Sequence, residues 1–378
     1  MAKETVWGTA INPATVFLST MAPIFDEKQD AILDQGLRGI RAATQAMTFG
    51  AGHTEFDTGA MPWYGDDSGH LLMAMLGADA ITGTARTGTI GAVSAGATSA
   101  TYTPGTGGAS VTGDIFKIDA GLATQEVVIP TSVAANVWTV PATGPGSFRF
   151  AHGAAAPGVS LFQHAITLLN TGQPPSYTLA KFDKLLATSR QVAGCYFEDV
   201  TIKLTNPGRM TVQGKGRGKL GINAAASTAA YSVEPFNVPW QAVFTIAGVA
   251  NARLIDFEAT ITAKNDQIFG MNGTQSPTAA VSDQLTVTGK FICVPDDYTE
   301  YNYYLANTQP SVSVVLDNNA TRTTLQMSKV AITGAPLAHA GNYTLLNGTF
   351  EAIANATDAG TGNAPLKAIL QNLKAVAY

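Results

Sequence analysis

The sequence predicts a mainly β protein, an antiparallel β-sandwich or barrel with one flanking α-helix and an inserted small β-module. Three observations carry this. Apolar and polar residues alternate with period two from Tyr196 onward, turn formers punctuate the alternation, and one stretch alone has a full set of helix signals. In chain order, residues 30–47 place Leu33, Leu37, Ile40 and Met47 at helical spacing. Thr44 breaks that stripe, and Gly36 and Gly39 each cost about 1 kcal/mol in a helix, so helix and strand both stand open. Next, Asp66, Asp67 and Ser68 offer N-caps, residues 70–76 are mostly helix formers and Gly77 is a stop. The Leu72, Met75 and Leu76 side of this helix should pack on a sheet, leaving Asp66, Asp67 and His70 to capping or the surface.

Between residues 84 and 158 the composition shifts to small side chains, and Arg86, Asp114, Lys117, Asp119, Glu126 and Arg149 are its only charged residues. Short β signals at 98–103, 114–119, 126–129 and 136–140 mark a module spliced into a loop. The expected division is therefore a discontinuous main domain, 1–83 and 159–378, with an insert at 84–158. Residues 196–205 then alternate, Asn206, Pro207 and Gly208 supply a turn, and residues 209–214 return as a hairpin. Strands follow at 254–263, 284–294, 311–316, 323–333 and 349–356.

A chain of 378 residues exceeds the usual single-domain size. Its charged fraction of 13% is about half the usual level, which suits packing against copies of itself. Hydrophobic residues at 46% rule out disorder, and a net charge of −5 excludes a simple nucleic-acid binder. Cys195 and Cys293 are too few for a disulfide framework and fit synthesis in a reducing compartment. No targeting segment is expected: the apolar run 71–76 is far short of the ~20 residues that span a bilayer. Asn-x-Thr triplets at Asn272, Asn319, Asn342, Asn347 and Asn355 follow from composition.

Three patterns could carry chemistry. Gly216, Gly218 and Gly221 match GxGxxG, with a possible helix at 224–230, but the preceding strand is only half apolar, unlike a first Rossmann strand. The expectation is a glycine-rich loop leaving a hairpin. Asp66, Asp67 and His70 have a spacing that could ligate a metal, yet capping accounts for both aspartates, so no metal is expected. No nucleophile sits in a GxSxG elbow, so no catalytic residue is assigned. Lys203, Arg209, Lys215, Arg217 and Lys219 make one hairpin region basic. It reads as a solvated strand face, as a contact with an acidic patch of a neighbouring copy, or as a nucleic-acid contact that lacks interleaved aromatics.

Several stretches, in order, carry a family resemblance: Met61-Pro-Trp-Tyr-Gly-Asp-Asp-Ser-Gly-His-Leu-Leu-Met-Ala-Met-Leu-Gly77, an aromatic turn and helix ending in Leu-Gly; residues 160–179, a His-bearing strand followed by Pro-Ser-Tyr-Thr; Arg190-Gln-Val-Ala-Gly-Cys195 with the hairpin to Gly214; and residues 370–378 as a closing strand. Together they resemble the tail tube (major tail) proteins of long, non-contractile-tailed bacteriophages, over nearly the whole chain. Residues 112–119, 125–129 and 150–156 are similar to a small β-module found in such proteins, with Pro130 as a departure. The resemblance favours strand over helix for residues 36–48.

What the resemblance implies is a structural virion protein, neither an enzyme nor a cofactor binder, assembled in the bacterial host cytoplasm. Six copies would close into a ring by sheet-to-sheet contact, and rings would stack into a hollow tube in the tail. Implied partners are the tape-measure protein inside the tube, the tail terminator and tail tip proteins, and DNA in transit without specific binding; no membrane is involved. The net −5 of each copy would keep phosphate off the lumen wall. A second reading makes the insert an adhesin for host carbohydrate or envelope through Trp138, Phe148 and Phe150, with packing inside the module as the alternative for those rings.

Overall fold

The computed structural model of the chain describes all residues except 13, 21, 36–43, 45, 183, 184, 187 and 252. Two antiparallel sheets face each other across one main core. At the centre of the first lies the strand Thr188–Thr205. Beside it run Thr211–Gly218 and then the hairpin of Ala46–Asp57 and Ile24–Asp34, which forms one edge. On its other side follow Leu254–Ile268, Ala279–Cys293, Tyr343–Ala352 and Val330–Gly334. The second sheet is built on Ala156–Leu168, then Lys367–Asn372, Arg322–Met327, Val312–Asp317 and Ala242–Ile246.

Period-two alternation explains the core. Val200, Ile202 and Leu204 point inward while Thr201 and Lys203 face out. Opposite them the second sheet contributes Val314, Leu316, Leu325 and Leu370. Phe244 bridges the two layers, its ring 5.8 Å from both Phe257 and Phe291. Burying each such ring stabilises the fold by about 1.5–3 kcal/mol, so this aromatic seam fixes how the sheets meet.

The helix Gly69–Leu76 forms where expected, and Gly77 ends it in the left-handed conformation at φ 89°, its N–H donating to Met73 O. Its environment differs from expectation, because every residue from Gly69 to Leu76 is buried rather than one side. The capping expectation also fails. Ser68 occupies the cap position without a side-chain cap bond, its Oγ accepting instead from Tyr64 N–H, while the Asp66 carboxylate accepts from the Ser232 hydroxyl. His70, expected at the surface, is buried with its ring 5.0 Å from that of Tyr378.

Other outcomes follow from long-range pairing. Of the two readings left open for residues 30–47, strand holds at 30–34 and 46–47, while 36–43 and 45 lie outside the described residues. The expected strand 323–333 is two strands in different sheets, Arg322–Met327 and Val330–Gly334. At the C-terminal end, strand structure stops at Asn372, and Tyr378 is buried with its hydroxyl donating to Gly65 O. A short second helix, Thr299–Leu305, was not foreseen; its first N–H donates to the Asp297 carboxylate at 2.7 Å.

Residues 84–158 contain the strands Thr87–Ile90, Ser99–Pro104, Ile115–Ile118, Glu126–Val128, Ser132–Ala134 and Val137–Thr139. Their inward side chains form an apolar cluster distinct from the main core. The strand Ala156–Leu168 serves both parts: residues 156–161 pair with strands of this segment, and residues 162–168 with Gly77–Thr82 and Lys367–Asn372.

Candidate assembly surface

The hairpin at the edge of the first sheet exposes several large apolar side chains. Its base is anchored: Phe25 packs against the core, and Phe56, opposite it in register, meets Phe197 edge-on at 5.0 Å. Arg190 holds Glu27 with two N–H···O bonds of 2.6 Å. That bonding raises the guanidinium above its ordinary value. Beyond Gln29 the ribbon leaves the body. Leu33 stands opposite Met47, and Ala31 opposite Phe49, so these four share one face. Leu33, Met47 and Phe49 are exposed, at 47%, 56% and 48%. From the side the ribbon is braced by Gln275, which donates to Phe49 O and accepts from Gly52 N–H. A contiguous exposed apolar face of this kind marks an interaction surface.

Lys203, Lys215 and Arg217 lie on the solvent face of the same sheet, opposite acids from neighbouring strands. Lys203 pairs across the ladder with Glu258 at 3.7 Å, and Lys290 reaches that carboxylate at 3.3 Å. Lys215 faces Asp57, and Arg217 lies between Glu55 and Glu198. Burial pushes the Glu198 carboxyl up, and Arg217 opposes that push. Lys219 sits 4.8 Å over the Trp7 ring and donates to Gly8 O; Arg209 is exposed. A run without acids in sequence is thus part of a mixed charge pattern in space. The acids lie on other strands, which reading along the chain misses.

Of the glycine motif, Gly216 and Gly218 lie within a strand and Gly221 in the short connection after it, and no helix starts there. Gly214, Gly216 and Gly218 face inward along Thr211–Gly218, and Ile222–Ala225 is a strand. A Cβ on Gly216 would lie 2.0 Å from Tyr196 O, so glycine is required by packing, and no phosphate-binding turn exists there. The metal reading of Asp66, Asp67 and His70 has no support either. Among the described residues no group of three His, Cys, Asp or Glu side chains is arranged to hold a metal ion, and His70 faces the Lys374 amine at 3.0 Å. Burial first and then Lys374 lower the His70 imidazole to about 3. Burial pushes the Cys195 thiol well up and that of Cys293 to about 12, so both free cysteines are poor nucleophiles.

Trp138 and Phe148 are core residues of the inserted segment, not surface contacts. Trp138 stacks on Tyr102 at 4.9 Å and donates to Ser110 Oγ at 2.6 Å, and Phe148 is 1% exposed. Phe150 is half-buried. Of the three rings of the adhesin reading, Trp138 and Phe148 are therefore not available at the surface, and Phe150 is only partly so. Among the described residues, no helix is long and apolar enough to cross a membrane.

Comparison with known proteins agrees with an assembly role. The family model described as phage tail tube protein matches residues 1–362. No curated protein matches the chain.

Proposed function

Because the chain belongs to the phage tail tube protein family, we propose that it is the repeating subunit of the tube, with six copies closing into each ring and rings stacking. It is a structural protein of the virion tail. The supporting observation is that, among the described residues, neither end of one sheet has a further strand partner: Ile24–Asp34 forms one edge, and Val330–Gly334 with Leu337–Ala340 the other. Two unlike edges that pair copy to copy make a head-to-tail contact, and such a contact closes into a ring when the rotation per copy divides a full turn. The apolar ribbon face at Leu33, Met47 and Phe49 is then covered by a neighbouring copy.

In this reading the tube surrounds a tape-measure protein, ends on terminator and tip proteins, and passes DNA without holding it. Assembly takes place in the host cytoplasm. Lys203, Arg209, Lys215, Arg217 and Lys219 are proposed contacts between copies, where charge complementarity sets register. Residues 84–158 are proposed as a module dispensable for tube formation, because their apolar cluster is their own. Joining the flanks with a short Gly/Ser linker tests that role; a shortened protein that is insoluble or forms no tubes makes the module part of the assembly. Negative-stain imaging of the purified chain tests the main reading. Rings and tubes are expected, and a strictly monomeric protein at high concentration would overturn it.

A further inference from the structure

The chain contains two Asn-Gly pairs, Asn272-Gly273 and Asn347-Gly348, and the fold treats them oppositely. Asn272 lies in the turn that joins Leu254–Ile268 to Ala279–Cys293, where every residue from 269 to 275 is exposed. Its Oδ1 accepts from Thr274 N–H at 3.2 Å and from the Thr274 hydroxyl at 2.9 Å, an Asx turn that folds the side-chain amide over the backbone ahead of it. Gly273 follows at φ 76°, a Cβ there would meet nothing within 4 Å, and among the described residues its N–H has no acceptor. Asn347 is fixed within Tyr343–Ala352, opposite Ile292 in the ladder, and its N–H donates to Pro336 O at 3.0 Å. Gly348 is packed so closely that a Cβ would lie 2.2 Å from Phe291 Cζ.

An asparagine amide carbon is open to attack by the backbone nitrogen of the next residue, and glycine, with no Cβ, obstructs that approach least. Gly273 N bonds to Asn272 Cγ, the bond from Cγ to Nδ2 breaks, and ammonia leaves with the proton that Gly273 N gives up. The cyclic succinimide then takes up water at either of its carbonyls. Opening on one side gives aspartate, and opening on the other gives isoaspartate, whose backbone runs through the former side chain. The net change converts an amide and a water into a carboxylate and ammonium, with no electron transferred. Closing the ring requires rotation about the asparagine ψ and χ1, which an exposed turn permits and a paired strand resists.

We propose that Asn272 is a self-modification site, where the folded chain converts its own amide to aspartate and isoaspartate, and that the product loosens the brace on the apolar ribbon. The chemistry does not depend on the tube reading. Its structural effect follows from what the turn holds: Gln275 donates to Phe49 O at 2.9 Å, and its backbone carbonyl accepts Gly52 N–H at 2.9 Å. Both products place a negative charge where a neutral amide stood. Isoaspartate also lengthens the backbone and undoes the Asx turn shortly before Gln275.

The test is peptide mass mapping of the full chain after incubation at neutral pH in heavy-oxygen water. The Asn272 peptide should take up heavy oxygen and contain isoaspartate. Its rate should exceed that of the Asn347 peptide by more than about tenfold, because the latter must wait for the ladder to open. In chain unfolded with guanidinium the two rates should come together. In fully converted native chain, amide exchange at Gly52 should quicken by about two- to tenfold, the loss of one hydrogen bond, while Thr260 in the centre of the sheet stays level. Native Asn272 converting no faster than Asn347, or converting without isoaspartate, overturns the site. An unchanged Gly52 amide in the converted chain overturns the loosening of the brace.

Discussion

Arg190 grips Glu27 through two parallel bonds, Nε to Oε1 and Nη2 to Oε2, each 2.6 Å long, and so ties the edge strand Ile24–Asp34 to the central strand of its sheet. The pair is more than a third exposed on the arginine side, and solvent therefore screens much of its attraction. Arg190→Met should cost less than about 1 kcal/mol of global stability in a urea melt. Its effect should be local, with faster amide exchange in residues 24–34 and unchanged exchange in residues 254–268. Uniformly faster exchange in both would mean that the pair supports the whole sandwich and not the ribbon.

Gly216 carries a packing requirement. Gly216→Ala places a methyl 2.0 Å from Tyr196 O and 2.8 Å from Phe56 Cζ, so the ladder must shift. The expected loss is about 1–3 kcal/mol or more by thermal melting. Gly91→Ala, whose nearest neighbour would be Thr101 Cβ at 3.7 Å, serves as the control and should be near neutral. Equal behaviour of the two variants would contradict the inward glycine stripe.

The helix offers a paired comparison. Leu72 is 0% exposed, and Leu72→Ala should cost about 2–5 kcal/mol. His70→Ala removes a ring packed on Tyr378 and leaves the Lys374 amine without its acceptor, a loss of about 1–3 kcal/mol. A chelator should leave the wild-type melt unchanged. A melt lowered by chelator as far as by His70→Ala would restore the metal reading.

Asp67 gives a pH dependence with a defined sign. Burial, then the neighbouring Asp66 carboxylate, pushes its carboxyl from 3.8 up to about 6. A group with a raised folded value binds its proton more tightly when folded, so the stability it contributes is full at low pH and is lost as pH climbs from about 4 through 6. Asp67→Asn removes that loss. The variant should gain about 1–3 kcal/mol over wild type at pH 7, and much less at pH 4, in chemical denaturation. A gain that is the same at both pH values would show that Asp67 does not titrate in this window.

These variants also mark where the sequence was legible. The strand alternation at Val200, Ile202 and Leu204 and the stop at Gly77 are local signals, and both appear in the structure at those positions. The surroundings of His70 were not legible, because they come from Tyr378 and Lys374, some 300 residues away in the chain. The ribbon at Leu33 and Met47 was masked for a similar reason: helical spacing and cross-strand pairing use the same residues, and only the register with Ala46–Asp57 separates them. The acids that face Lys203, Lys215 and Arg217 likewise lie on other strands.

Copies are proposed to assemble through the apolar ribbon at the edge of the first sheet. The direct measurement is negative-stain imaging of Leu33→Asp/Met47→Asp beside wild type at matched concentration, with circular dichroism to confirm equal β content. Wild type should form tubes, and the variant should remain folded, soluble and unassembled, because two charges then occupy the face a neighbour must cover. Tubes of normal length and number from the folded variant would contradict the claim.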